Sequence, residues 1–89
     1  MVSRSVAVAN ALGVHARAAA RFVHAASVFH ARISVTRGAR TVDGKSILGI
    51  LTLAATQGTE ITLRLDGEDE TAACQAIVEL IDGRFGEKE

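Results

Sequence analysis

One short segment of the chain alternates strictly between apolar and polar side chains, and it restricts the fold more than any other feature. Ile61, Leu63 and Leu65 are separated by threonine and arginine and followed by aspartate. Because successive side chains of a strand point to opposite faces, the segment predicts a strand with one face in a core and the other in water. Such a strand needs a second layer against its apolar face, so the fold is expected to have two layers.

Three other segments have the apolar spacing or the capping residues of helices. Residues 16–27 are apolar at positions 19, 22, 23 and 26 and carry two arginines and a histidine on the opposite face. A brief helix is predicted after Lys45, with Ser46 as its N-cap and apolar residues up to Leu53. Residues 68–82 begin with three acidic residues, which suit the positive end of a helix, and Gly83 is predicted to end that helix.

The remaining strands complete the architecture. Weak alternation over residues 2–8 predicts a first strand, and Ile33 with Val35 marks a second. Gly38 is placed at a hairpin turn before a short third strand that begins at residues 41–42. The predicted order is β-α-β-β-α-β-α in a single domain of residues 1–89. The fold class is α/β (α+β), a two-layer open-faced sandwich whose four-stranded antiparallel sheet carries three helices on one face.

The composition excludes several classes of protein. Cys74 is the only cysteine, so no internal disulfide or thiolate zinc site is possible, and Cys74 itself is expected in the core. No spacing of His, Asp and Glu resembles a metal site, and neither a metal nor a cofactor is predicted. No apolar run reaches the roughly 20 residues of a membrane helix, and the N-terminus lacks the apolar stretch of a secretory signal. We therefore expect a cytoplasmic protein without membrane insertion.

The charges are unevenly distributed along the chain although the formal net charge is zero. Residues 1–42 contain six arginines and no acid, whereas residues 43–89 contain all ten acids and four bases. A basic half of this kind can attract an acidic or a phosphorylated partner. Binding of nucleic acid is the weaker alternative, because aromatic residues make up 3% of the chain and no nucleic-acid-binding motif is present.

A histidine lies where the first helix is predicted to begin, in the segment Gly13-Val14-His15-Ala16-Arg17. The first amides of a helix lack internal partners and form a ready site for an anion. One interpretation is that His15 is only a mediocre N-cap. The other is that it is a nucleophile whose phosphorylated form is held by the amides of Ala16 and Arg17 and by the Arg17 guanidinium. An ordinary histidine, with a pKa of about 6.5, offers a neutral nucleophilic nitrogen near neutral pH.

Two motifs of the chain resemble those of one known family. The segment at residues 13–17 is similar to the Gly-Leu-His-Ala-Arg-Pro motif of the HPr family, phosphocarriers of the bacterial phosphotransferase system. The segment at residues 43–51, Asp-Gly-Lys-Ser-Ile-Leu-Gly-Ile-Leu, resembles the family's second signature, which surrounds a regulatory serine. The resemblance extends over about residues 3–86 and includes the order of the elements.

The resemblance implies roles for individual residues. His15 would take a phosphoryl group from enzyme I and pass it to a sugar-specific A component, as a carrier rather than an enzyme, and Arg17 would contact the phosphate. Ser46 would be phosphorylated by an HPr kinase/phosphorylase where that enzyme exists. Partner docking would involve α-helical residues of the first and second helices, namely Arg21, His24, Ile47, Leu48 and Leu51. The protein is expected to be a monomer.

One residue departs from the family's pattern. Ala18 stands where the family has proline, at the third position of the predicted helix, and it adds a further free amide near the proposed phosphate. The substitution also gives the unfolded chain more conformational freedom, which should cost about 0.4–1 kcal/mol of stability.

An alternative function remains open at this stage, that of a regulatory module that acts through Ser46 and transfers no phosphoryl group. Incorporation of phosphate at His15 distinguishes the two.

Overall fold

The computed structural model describes all 89 residues and contains four strands, three α-helices and one 3₁₀ turn. The strands are β1 (Val2–Ala7), β2 (Arg32–Arg37), β3 (Arg40–Asp43) and β4 (Glu60–Asp66). The helices are α1 (Ala16–Ser27), α2 (Ile47–Thr52) and α3 (Glu70–Asp82), and the 3₁₀ turn is Arg84–Gly86. The order β-α-β-β-α-β-α predicted from the sequence is confirmed, and the 3₁₀ turn follows it.

The strands form one antiparallel sheet in the order β1-β4-β2-β3. The alternation that predicted β4 is confirmed, because Ile61, Leu63 and Leu65 are at most 3% exposed whereas Arg64 faces solvent. Gly38 makes the β2–β3 hairpin turn at φ +58°, a conformation that glycine adopts without strain. The sheet therefore has one apolar and one polar face, as the two-layer architecture requires.

Helices α1 and α3 cover the apolar face of the sheet and share a single core with it. Phe22 on α1 and Ile77 on α3 are at most 2% exposed. Burial of one such side chain contributes about 1.5–3 kcal/mol before the entropy of ordering is subtracted. Cys74 is also buried in this core, as predicted. This packing fixes the position of α1, whose first residues form the candidate site.

Helix α3 begins two residues later than the acidic run predicted, so only Glu70 lies in its first turn. Asp69 is the N-cap residue, but its side chain makes no bond to α3. Its two carboxylate oxygens instead accept hydrogen bonds from the amides of His30 and Ala31, both at 2.8 Å. These bonds hold the pKa of Asp69 below its ordinary value, with the His30 amide as the largest cause. Asp69 thus ties the α1–β2 loop to α3.

Three other predicted boundaries shift by a residue or differ in detail. Strand β1 ends at Ala7, and Leu53 is the C-cap of α2 rather than part of it. Gly83 is the C-cap of α3, as predicted, but its φ is −80°. The left-handed conformation that commonly follows a helix falls on the next two residues, Arg84 and Phe85. This turn redirects the last residues of the chain toward α1.

Candidate functional site

His15 is the N-cap of α1 and has the extended backbone typical of that position, with φ −79° and ψ −179°. Its carbonyl accepts the first helical bond, from the Ala19 amide at 2.8 Å. The ring Nδ1 accepts a long hydrogen bond of 3.3 Å from the amide of Arg17. The prediction that His15 stands at the start of the helix is therefore confirmed, and Nδ1 is the nitrogen that faces the free helix amides.

The loop before His15 is fixed by a close approach to the segment between α2 and β4. Gly13 has φ +68°, and a Cβ added there would lie 2.5 Å from the carbonyl oxygen of Ala55. The next amide, that of Val14, donates to the same oxygen at 2.9 Å. Gly13 is required at this position both by its left-handed conformation and by the lack of space. The backbone carrying His15 is thus held against the rest of the fold.

The second ring nitrogen of His15 contacts an acidic side chain from the end of the chain. Nε2 forms an ion pair or hydrogen bond with Oε2 of Glu87. Asn10, which is fully buried, donates from Nδ2 to Oε1 of Glu87 at 3.0 Å and to the carbonyl of Gly13 at 2.7 Å. The hydrogen bonds from Asn10 and then from His15 hold the pKa of Glu87 below its ordinary value, and Arg21 adds a favourable charge.

Residues 83–89, which we call the C-terminal strap, cross the N-terminal end of α1. Arg84 and Phe85 adopt left-handed backbone angles, with φ of 58° and 53°, at a cost on the order of 1 kcal/mol or more each. The strap is held despite this strain because Phe85 is 1% exposed in the core and its carbonyl accepts from Arg21. Near its end, the carbonyl of Glu89 accepts from the amide of Ala11 at 2.9 Å.

These contacts define the chemistry available to His15. A carboxylate can only accept, so the contact with Glu87 places the proton on Nε2, and the Arg17 amide requires a lone pair on Nδ1. About 29% of the His15 side chain is exposed. The Arg17 side chain is exposed and forms no hydrogen bond or ion pair within the protein. The proton on Nε2 leaves the Nδ1 lone pair directed at the Arg17 amide, at a helix start whose arginine is unpaired, an arrangement suited to an anionic group.

Ser46 is the N-cap of α2, as predicted, and its Oγ accepts from the Gly49 amide at 3.0 Å. The two residues after it are exposed apolar side chains, Ile47 at 46% and Leu48 at 73%. Leu51 is half-buried and packs against the core. Because α2 packs beside α1, this exposed pair lies on the helix adjacent to the one that carries His15.

The other residues named from the sequence occupy different environments. Ala18 is the third residue of α1, and its side chain is fully buried. His24 is exposed on α1, whereas Arg21 is engaged by the strap through the carbonyl of Phe85. No helix is long and apolar enough to cross a membrane, and no three His, Cys, Asp or Glu side chains meet in a cluster that could hold a metal.

Glu87 and Asn10 are not among the site residues predicted from the sequence. Asn10 belongs to neither of the two motifs, and Glu87 lies beyond the last predicted element. One signal for the contact was present, the separation of charge between an acid-free N-terminal half and an acidic C-terminal half. We interpreted that separation as attraction for a partner, and in the structure Glu87 of the acidic half contacts His15 of the acid-free half.

Comparison with known proteins identifies the family. The model "PTS HPr component phosphorylation site" matches residues 2–83. The phosphocarrier protein HPr of Neisseria meningitidis serogroup A is 46% identical over 89 residues, covering 100% of both chains. The crystal structure of HPr-C-His from Thermoanaerobacter tengcongensis superimposes with a TM-score of 0.96 at 40% identity, again over 100% of both chains. A structure described as an HPr dimer from the same organism has a TM-score of 0.79 at 41% identity, covering 98% of this chain and 100% of that one. The chain therefore belongs to the HPr family of phosphocarriers of the phosphotransferase system.

Proposed function

We propose that this phosphocarrier accepts its phosphoryl group on His15 from enzyme I and passes it to the A component of a sugar permease, acting as a carrier and not as an autonomous enzyme. The observation that carries the proposal is the placement of His15 at the N-cap of α1, with Nδ1 toward the Arg17 amide and part of the ring exposed. Phosphoryl transfer depends mainly on alignment and charge stabilisation, which a small domain and its partner can share.

Arg17 and the first amides of α1 supply the half of the phosphate site that belongs to this chain. The amides of Ala16, Arg17 and Ala18 lie in the first turn, where they have no partners inside the helix. The guanidinium of Arg17 is free to make bidentate bonds to phosphate oxygens. All these groups come from one chain, so the site is complete in a monomer, and we propose that the monomer is the working form, in the cytoplasm.

The contact surface for both partners is proposed to combine a charged and an apolar part. Arg21 and His24 on α1 supply the charged part, and Ile47, Leu48 and Leu51 on α2 supply the apolar part. Ile47 and Leu48 are exposed without a partner in the fold, and α2 packs against the helix that carries His15. A partner seated on this surface can reach Nδ1 of His15.

We also propose that an HPr kinase/phosphorylase, where one is present, regulates the carrier by phosphorylating Ser46. Ser46 directly precedes Ile47 and Leu48, so a phosphate there adds about −1.5 to −2 charges beside the apolar contact. A partner that covers the patch would have to desolvate this charge.

Mapping of the transferred phosphate tests the proposal. The protein is incubated with the enzyme I of its own organism and phosphoenolpyruvate, and the modified residue is located by mass spectrometry. We expect one acid-labile, alkali-stable adduct on His15, which is absent from His15→Ala. His30→Ala is the matched control, because His30 is an exposed histidine outside the site. Transfer through His15→Ala to an A component would overturn the assignment.

A further inference from the structure

The C-terminal strap brings a carboxylate to the edge of the His15 ring that faces away from the helix amides. Nε2 meets Glu87, whereas Nδ1 meets the amide of Arg17. Because the two nitrogens are separated by a ring carbon and bond in different directions, the contact with Glu87 does not occupy Nδ1. The Glu87 side chain is only 16% exposed, so its contact with His15 is shielded from water on most sides.

Asn10 holds the Glu87 carboxylate in position through a hydrogen bond. Its amide nitrogen donates both to Glu87 and to the carbonyl of Gly13, and the amide carbonyl oxygen is buried without a hydrogen-bond partner in the protein. Exchanging the oxygen and nitrogen of this side chain would set an acceptor against two acceptors, so the orientation is determined. Asn10 thus keeps a donor directed at Glu87, at the cost of one unsatisfied buried oxygen.

We propose that Glu87 is a positioning residue for phosphoryl transfer, which holds the His15 ring through Nε2 and is itself held by Asn10. This inference rests on the proposed role of His15. Glu87 selects the tautomer with the proton on Nε2, so that Nδ1 keeps its lone pair on the side of the Arg17 amide. It does not touch the transferred group.

The contact between Glu87 and Nε2 serves both uptake and onward transfer of the phosphoryl group. In the first step the Nδ1 lone pair forms a bond to phosphorus while the bond between phosphorus and the donor breaks, and that electron pair stays with the donor. The ring then bears one positive charge, which the Glu87 carboxylate balances across the Nε2–H bond. In the second step a nucleophilic group of the acceptor forms a bond to phosphorus while the phosphorus–Nδ1 bond breaks, the electron pair returns to Nδ1, and the neutral Nε2–H tautomer is regenerated.

The proton stays on Nε2 throughout this cycle, and Glu87 is the reason. Without the carboxylate, the phosphorylated ring can release that proton to water, and the leaving group becomes an anionic imidazolate. An anion is a poorer leaving group than a neutral imidazole, so both onward transfer and spontaneous hydrolysis of the phosphorylated protein should slow. Loss of a charge-assisted hydrogen bond of this kind corresponds to a decrease in rate of about tenfold or more.

The other charged side chains of the strap and the arginines of α1 do not replace Glu87. Arg17 and Arg21 on α1 are cationic, and Lys88 and Arg84 on the strap are cationic as well. Glu89 is the other acid of the strap, but it is exposed and its tie to the fold, with the Ala11 amide, is through its backbone carbonyl. Glu89→Gln is therefore a matched control, because it removes the same charge from the same segment without removing the contact to His15.

The tautomer of His15 tests the inference without any transfer reaction. Two-bond ¹H–¹⁵N NMR spectra of the full-length protein above pH 7 report which ring nitrogen carries the proton. We expect the Nε2–H tautomer in the wild type and in Glu89→Gln, and a mixture of tautomers in Glu87→Gln. Asn10→Asp, which turns the donor into a second acceptor, should also give a mixture. An unchanged tautomer in Glu87→Gln would overturn the positioning role.

Kinetics then test the consequence for transfer. Each protein is phosphorylated with enzyme I and phosphoenolpyruvate, and loss of the phosphoryl group to water is followed after enzyme I is removed. Glu87→Gln should hydrolyse about tenfold more slowly than the wild type and Glu89→Gln, with an apparent KM for phosphorylation within about twofold of theirs. Equal hydrolysis rates would overturn the proposal. A wild type that takes up no phosphoryl group would overturn the proposed function of His15, while the tautomer spectra would still decide whether Glu87 positions the ring.

Discussion

Replacing Ser46 by alanine and by aspartate separates the structural role of this side chain from its proposed regulatory role. Alanine removes the hydrogen bond of 3.0 Å from the Gly49 amide to Ser46 Oγ. Loss of a serine N-cap costs about 1 kcal/mol, which lowers the Tm of a domain of this size by about 4–8 °C. Aspartate caps a helix as well as serine does, so Ser46→Asp should change the free energy of unfolding by less than about 0.5 kcal/mol.

The effects on docking should have the opposite order. Alanine adds no charge beside Ile47 and Leu48 and should leave the transfer from enzyme I unchanged. Aspartate puts a carboxylate next to a patch whose two residues are 46% and 73% exposed. Desolvating an unpaired charge at an interface costs more than the 1.4 kcal/mol that corresponds to tenfold, so we expect the apparent KM for enzyme I to rise by about tenfold or more.

Initial rates of phosphorylation as a function of protein concentration measure this effect, and thermal unfolding followed by circular dichroism measures the stability. Ser3→Ala and Ser3→Asp are the controls, because Ser3 is exposed on β1, at the edge of the sheet opposite β3, against which α2 packs. Neither control should change the KM. If Ser46→Asp accepts phosphate as readily as the wild type at limiting concentration, the regulatory proposal is refuted and Ser46 is only a helix cap.

Three further predictions concern the site and its support. Arg17→Ala should slow phosphorylation by enzyme I by about 10- to 100-fold with an unchanged circular-dichroism spectrum, because an exposed charge partner of the phosphate is lost; an equal rate would contradict the role. Ala18→Pro should raise the Tm by a few degrees, because proline lowers the conformational entropy of the unfolded chain and so stabilises the fold by about 0.4–1 kcal/mol. A lower Tm would mean that the proline ring does not fit the buried space. The amides of His30 and Ala31 lower the pKa of Asp69 from 3.8. The stability that this carboxylate contributes is therefore present above that pH and is lost as the pH falls through the folded pKa. Asp69→Asn should therefore lower the Tm at pH 7, and its Tm should fall less than that of the wild type as the pH is lowered. Thermal unfolding curves from pH 7 to pH 2.5 measure both effects.

The elements with local signals were predictable from the sequence. The alternation of Ile61, Leu63 and Leu65 identified β4 because the period of a strand does not depend on the rest of the fold. Ser46 and His15 were placed at helix starts for a similar reason, since capping involves only the next few residues. The start of α3 was predicted too early because the carboxylate of Asp69 serves a loop distant in sequence, an interaction that no local pattern records.

The contact of Glu87 with His15 was inaccessible to pattern analysis for a further reason. The contact joins residues 72 positions apart. The strap that carries Glu87 has no apolar periodicity, and its course depends on two non-glycine residues with a left-handed backbone conformation. Arg84 and Phe85 carry no sequence signal for that conformation, because glycine and asparagine are the residues that favour it. Burial of Phe85 in the core and the hydrogen bond from Arg21 to its carbonyl stabilise the turn, and both depend on the completed fold.

This dependence has a consequence for how the site forms. Asn10 and His15 lie near the start of the chain, whereas Glu87 reaches them only after the strap has turned back and Phe85 has entered the core. The helix cap at His15 needs only the first turn of α1, so the anion-binding amides can form early and locally. The orientation of the ring requires contacts from both ends of the chain. If Glu87 has the proposed role, an incompletely folded chain contains the motif Gly13–Arg17 but lacks the His15 tautomer that transfer requires. Phosphoryl transfer at the full rate would then require the complete fold.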